Sequence, residues 1–161
     1  MAARLSDEEV AGFIAEPKLL PDNYERQMTL RPKLGHEERD LTLRGQAGTE
    51  FRPILRRSRA NPLDFSAILA YCVPNSNVLF RLRRYNGKSH EHCNRIEGDR
   101  FYAFHVHMAT ERYQDFGARE DAYAEPSDRF STYEGARDLL FQECCVTRPP
   151  TDQLSLFAEV Q

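Results

Sequence analysis

Apolar residues recur in this chain at two different periods. Near the N-terminus Val10, Phe13 and Ile14 share one face at helical spacing. They follow Ser6-Asp7-Glu8-Glu9, which has the form of a capping box: a hydroxyl to accept from the first turn and a carboxylate three residues on to reach back. Pro17 ends that helix. From Leu19 to Arg39, two prolines, Gly35 and scattered charges predict a long connection with one short helical turn. Alternation at period two then takes over. Asp40 to Arg44 turns Leu41 and Leu43 inward, and Glu50 to Arg57 is a weaker strand whose Pro53 suits an edge or a bulge. Phe65 to Val73 places Phe65, Ala67, Leu69, Tyr71 and Val73 on one face. Val78 to Tyr85 sets Val78, Phe80 and Leu82 against Arg81, Arg83 and Tyr85. Pro74-Asn75-Ser76-Asn77 between these two runs predicts a hairpin turn, and Asn86-Gly87 is a second turn signal. Phe101 to Met108 is the clearest strand, and Ser131-Thr132-Tyr133-Glu134 reads as a second capping box, opening a helix through Ala136, Leu139, Leu140 and Cys144. Helix, antiparallel strands, helix, tail is the order of an α+β fold: an antiparallel sheet with an N-terminal and a C-terminal helix packed on one face. We expect one domain over residues 1–146 and a flexible C-terminal tail over residues 147–161.

Composition narrows the class without choosing a function. A chain of 161 residues with 40% hydrophobic and 29% charged residues can build one ordinary core. No apolar run approaches a membrane span and the N-terminus lacks a signal-peptide pattern, so the expected partners exclude a membrane and the expected location is cytoplasmic. Cys72, Cys93, Cys144 and Cys145 form no C-x-x-C pair and read as free thiols. The formal net charge of −3 hides an asymmetry, with arginines concentrated between Arg52 and Arg100 and acids between Glu111 and Glu143. Such halves permit a polyanion-facing surface, leaving nucleic-acid contact open, but the plainer expectation is that they neutralise each other across the fold.

Candidate chemistry centres on histidine. Strand alternation from Phe101 to Met108 puts His105 and His107 on one face with Ala103, opposite Tyr102, Phe104, Val106 and Met108. Ser89-His90-Glu91-His92-Cys93 lies just upstream, so a neighbouring strand or loop there would gather four histidines, with Arg83 and Tyr85 on an adjacent strand. Histidines two apart on a strand can share a zinc ion, and His90, His92 or Cys93 could complete its shell. Alternatively His105 and His107 supply acid–base chemistry to a phosphodiester that Arg83 holds. A hydrogen-bonded polar surface would use the same residues. H-E-x-x-H, paired cysteines and an acidic trio are all missing from the sequence, so no cofactor is required by it.

The remaining signal is at the C-terminus. Arg148-Pro149-Pro150-Thr151-Asp152 stops the preceding helix and sets an extended course, and Gln153-Leu154-Ser155-Leu156-Phe157 follows. Two leucines and a phenylalanine on a polar tail make sense if a groove elsewhere receives them. This pentapeptide resembles the motif by which bacterial proteins dock on the DNA polymerase III sliding clamp, at all five positions. The resemblance implies that Leu156 and Phe157 fill a hydrophobic subsite, Leu154 supports them, and Gln153 hydrogen-bonds in a second small pocket. The eukaryotic clamp motif needs paired aromatics where this chain has Glu159 and Val160. The alternative use of such a run is as a last strand or strap on the chain's own core. The segments RYNGKSHEHCNRIEG, FHVHMATERYQ and AEPSDRF also resemble small bacterial proteins, some from toxin–antitoxin operons. Together the two resemblances imply a replication-blocking toxin of the SocB type: a binding inhibitor that competes with polymerases for the clamp and is opposed by a cognate antitoxin acting as a proteolytic adaptor. The alternatives are a clamp-recruited nuclease or phosphodiesterase and a non-toxic repair factor.

Overall fold

The computed structural model describes residues 3–149, so Gln153, Leu154, Ser155, Leu156 and Phe157 lie outside the described residues. Helix α1 (Asp7–Ala15) starts as its sequence requires: the Glu9 amide donates to Ser6 Oγ and the Ser6 amide to Glu9 Oε1, each at 3.0 Å. Strand β1 (Lys18–Leu19) follows, then α2 (Tyr24–Gln27), the expected helical turn. The next stretch is more than a connection, because β2 (Arg31–Lys33) and β3 (His36–Asp40) pair as a hairpin. Its two-residue turn uses Leu34 (φ 38°) and Gly35 (φ 87°), the left-handed pair that a tight hairpin demands. Charged side chains on both faces conceal these strands from any apolar periodicity.

Strands β4 (Leu43–Arg44), β5 (Glu50–Ser58), β6 (Phe65–Cys72) and β7 (Leu79–Asn86) continue the sheet. Leu41 and Leu43 face the core as expected. The edge position expected for Glu50–Arg57 is corrected: β5 is interior, flanked by β6 on one side and by β3 and β4 on the other. Pro53 acts on the partner instead. The Leu41 amide donates to the Pro53 carbonyl at 3.2 Å, but proline has no N–H to return, and the ladder is interrupted there into β3 and β4 without a slip in register.

A short arm carries β8 (His92–Cys93) and β9 (Arg100–Phe101), and the chain then re-enters the sheet as β10 (His105–Met108). The single strand expected over Phe101–Met108 is therefore two pieces: Phe101 pairs with His92 in the arm, and only His105 onward pairs with β7. Helix α3 (Glu111–Asp115), β11 (Tyr123–Pro126), α4 (Tyr133–Glu143) and β12 (Val146–Thr147) complete the described chain. The main sheet runs β11-β10-β7-β6-β5-β3-β2, with β4 also on β5, and all its pairings are antiparallel. Helices α1 and α4 cover one face, so the α+β expectation stands. Phe13 of α1 stacks on Tyr71, while α4 packs on β6 and β7 and buries Ala136, Leu139 and Leu140.

Two local expectations change. Across β6 and β7, Leu69 faces Arg83 but Ala70 faces Arg81, leaving Leu82 as a bulge residue. After the bulge the alternation inverts, so Tyr85 joins Phe80 and Leu82 in the core instead of sharing a face with Arg81. In α4 the N-cap is Thr132, whose Oγ1 accepts from the Gly135 amide. A glycine at that position cannot reciprocate, so no capping box forms, and Glu134 turns to Arg57 at 3.3 Å. The helix also ends before the prolines: Cys145 (φ 59°) turns the chain, and Val146 and Thr147 pair in parallel with Lys18 and Leu19. Thr147 therefore belongs to the domain, not to the tail.

Lys18 holds this closure. Only 1% exposed, it shares the three N–H groups of its ammonium among the carbonyls of Phe13 (2.8 Å), Ile14 (3.1 Å), Glu16 (2.7 Å) and Cys144 (2.8 Å). It supplies the cation that the last turn of α1 lacks and ties that turn to the end of α4. Among the described residues no helix is long and apolar enough to cross a membrane.

Candidate functional site

The face of the sheet opposite the helices carries the histidines. In the antiparallel ladder His105 lies across from Asn86 and His107 across from Arg84, so strand alternation aims all four side chains to the same side. The arm then brings His92 over them. Ring centres of His92 lie 5.4 Å from His105 and 4.9 Å from His107, and those of His105 and His107 are 4.9 Å apart. One ring nitrogen of each lies within 4.8 Å of the other two. His90 is peripheral: it is exposed, its ring centre is 6.2 Å from that of His105, and its Nδ1 sits 3.2 Å from Ser89 Oγ. Cys93 is not part of the cluster, since neighbours in a strand point to opposite faces.

Asn94 places the arm. Its side chain behaves as an extra length of strand along the edge of β11: Nδ2 donates to the Ala124 carbonyl at 2.8 Å and Oδ1 accepts from the Ala124 amide at 2.9 Å. Edge strands leave such groups open, and here one buried amide fills both. The Asn94 backbone closes the turn by donating to the Asp99 carbonyl, and the Gly98 amide donates to Asn94. Gly98 (φ 84°) occupies the left-handed region that this turn needs. Further out, Glu97 accepts from Tyr113 and from Arg112 of α3.

Hydrogen bonds also fix which nitrogen of each imidazole carries a proton. His105 Nδ1 faces the Ala103 carbonyl at 2.8 Å and His107 Nδ1 faces the Asp121 carbonyl at 2.7 Å. Carbonyls only accept, so both rings donate from Nδ1 and keep the Nε2 lone pair. His92 Nε2 meets Asn94 Oδ1 at 2.8 Å, and the Ala124 amide fixes that oxygen as an acceptor, so His92 keeps its Nδ1 lone pair. His105 is fully buried and its Nε2 has no hydrogen-bond partner. Burial pushes the pKa of His105 down to about 4 and that of His107 to about 2, with Arg84 and the neighbouring imidazoles adding to both. Two buried neutral rings and the half-buried His92 converge here.

The arginine beside the histidines is Arg84. Arg83, the arginine that the sequence puts forward, lies on the helix-covered face after the β7 bulge, 3.3 Å from Tyr85 Oη and 3.8 Å from Glu143 of α4. Arg84 Nε lies 3.1 Å from Asp121, a fully buried carboxylate that Arg119 and Arg81 also approach, at 3.6 and 3.8 Å. Arg81 pairs with Glu120 at 3.3 Å, and Arg57 with Glu134. The basic and acidic halves of the sequence thus meet across the fold.

The structure joins His92, His105 and His107, leaves His90 at their margin and sets Arg83 apart. Asn94 and Asp121 are the residues that sequence reasoning passes over. Only the closeness of Asn94 to His92 hints at a role, because its partner in β11 is thirty residues away. The four cysteines are free, and burial pushes the Cys144 thiol up to about 11, away from reactivity. Chemically, three imidazoles this close can hold a borderline metal ion, or accept and relay a proton. No protein-family model, curated protein or solved structure matches this chain.

Proposed function

We propose that this protein binds the bacterial sliding clamp through Gln153, Leu154, Ser155, Leu156 and Phe157 and stops replication by occupying the groove that polymerases use. The pentapeptide itself carries the reading, by matching the clamp-docking pattern at every position. The chain leaves β12 at Thr147, and five residues, Arg148 to Asp152, separate it from Gln153. That spacer reaches at most about 20 Å, so a docked tail would bring the body against the ring. A short extended peptide alone gives affinity of about micromolar order, and body contacts or the repeated sites of a ring would strengthen it. Inhibition is occupancy, with no bond made or broken, and an antitoxin acting as a proteolytic adaptor would relieve it.

The histidine cluster favours a second reading, a clamp-recruited nuclease or phosphodiesterase. A pull-down of purified clamp separates the two. Under the occupancy reading, Leu156→Ala with Phe157→Ala abolishes clamp capture and growth arrest together, while His105→Ala with His107→Ala keeps both. Loss of toxicity in the histidine variant with clamp capture intact would instead support the enzyme reading. Full capture by the tail variant overturns clamp docking through this motif.

A further inference from the structure

The geometry points to a zinc-class metal site formed by His92 Nδ1, His105 Nε2 and His107 Nε2, which fastens the arm to β10. This inference is independent of the tail.

Three features carry it. One ring nitrogen from each of the three histidines lies within 4.8 Å of the other two, and they come from two different elements, the arm and the sheet. In each ring one nitrogen faces an acceptor, namely Asn94 Oδ1, the Ala103 carbonyl or the Asp121 carbonyl, which leaves the other for an ion. That is how metal-bound histidines are oriented, with the outer N–H anchored and the inner lone pair presented. Finally, His105 Nε2 is buried without a hydrogen-bond partner, an unfavourable arrangement that a metal bond would offset.

The donor set selects the ion. Three imidazole nitrogens without carboxylate ligands suit zinc and its first-row neighbours, and disfavour magnesium and calcium, which want oxygen. The adjacent Arg84 does not forbid a cation, because Asp121 lies against its Nε at 3.1 Å. A tetrahedral zinc with Zn–N bonds of about 2.0–2.1 Å needs its nitrogens about 3.4 Å apart, so binding draws the rings together. His92, half-buried on the arm, is the least enclosed of the three, so the movement falls to it and to the arm that Asn94 couples to it, and the ion therefore pulls the arm onto the sheet. Three protein ligands leave a fourth position, for water or for His90 at the margin.

The test uses the full chain, stripped with a chelator and titrated with Zn2+ or Co2+. Wild-type protein should retain one zinc per chain after dialysis, show the visible absorption of tetrahedral Co2+, and melt at a higher temperature with zinc than without. His92→Ala removes a ligand from the arm while leaving the buried pair and the sheet intact. It should melt like the chelated wild type and gain nothing from zinc. Asn94→Ala leaves all ligands but frees His92 and should weaken zinc binding about 10–100-fold. A wild-type protein that holds no stoichiometric zinc and melts identically with chelator or metal overturns the proposal. So does a His92→Ala protein that binds zinc as tightly as wild type, which would place the ion elsewhere. Neither result touches clamp capture by the tail.

Discussion

Tyr85 of β7 donates its hydroxyl proton to Glu143 of α4 at 2.7 Å, and this bond joins the centre of the sheet to the last turn of the helix above it. Tyr85 is fully buried, and Glu143 also receives Arg129 and lies 3.8 Å from Arg83. Tyr85→Phe keeps the ring in the core but takes one donor from a carboxylate that is already partly desolvated. Hydrogen bonds to charged groups contribute about 1.5–3 kcal/mol, and the variant should lose stability of that order. Urea denaturation should show an earlier midpoint with an unchanged slope, since the surface exposed on unfolding is the same.

Acid should act through the same carboxylate. Burial pushes the Glu143 pKa up, but the hydrogen bonds from Tyr85 and Arg129 outweigh it and hold it below its ordinary 4.5. A carboxyl whose folded pKa lies below its unfolded one contributes stability above the unfolded value, and that contribution is lost as pH falls towards the folded value. The protein should therefore weaken progressively as pH drops below about 4.5. Glu143→Gln, which cannot titrate, should start less stable at neutral pH and lose less on acidification. Equal slopes of stability against pH for the two proteins would remove Glu143 from the account.

Lys18 makes the sharpest case for a buried charge that cannot be exchanged. Its ammonium is shared among four carbonyls contributed by the end of α1 and by Cys144. It also sits 4.4 Å above the Phe51 ring. Lys18→Met fills the space and strands those acceptors without a donor, which should cost at least about 3 kcal/mol. Lys18→Arg should rescue little, because a planar fork cannot converge on carbonyls arranged around a point. The midpoint of thermal unfolding for the two variants measures this directly.

Where a residue's environment is set by its neighbours in sequence, the chain is legible. The Ser6 cap, the inward Leu41 and Leu43, and the alternation of Phe65, Ala67 and Leu69 all follow from local pattern. So does the shared side of His105 and His107. The errors arise where a distant partner decides. Nothing near Leu82 announces the bulge that sends Tyr85 into the core and Arg83 away from the histidines. The β2–β3 hairpin rests on backbone pairing and two left-handed residues, so hydrophobic periodicity never registers it. Lys18 looks like an ordinary charge after a helix, and its burial depends on Cys144, which lies 126 residues later.

Asn94 offers a way to loosen the histidine cluster without touching a histidine. Its amide replaces two strand-to-strand hydrogen bonds at Ala124 and gives His92 its acceptor, so one side chain fastens both the arm and the ring. Asn94→Ala removes these contacts, together with the bond from Nδ2 to Asp99 at 3.2 Å, and exposes the outward backbone groups of β11. The arm's other ties, from Tyr113 and Arg112 to Glu97, are nearer the surface and do not reach His92. Arm and sheet should then separate energetically. In metal-free protein, amide hydrogen exchange should speed up at residues 92–101 and at Ala124, while β5, β6 and β7 keep their protection. Uniform acceleration across the whole sheet would mean instead that the arm and the core unfold as one unit. Asn94 would then contribute to global stability and not to local docking.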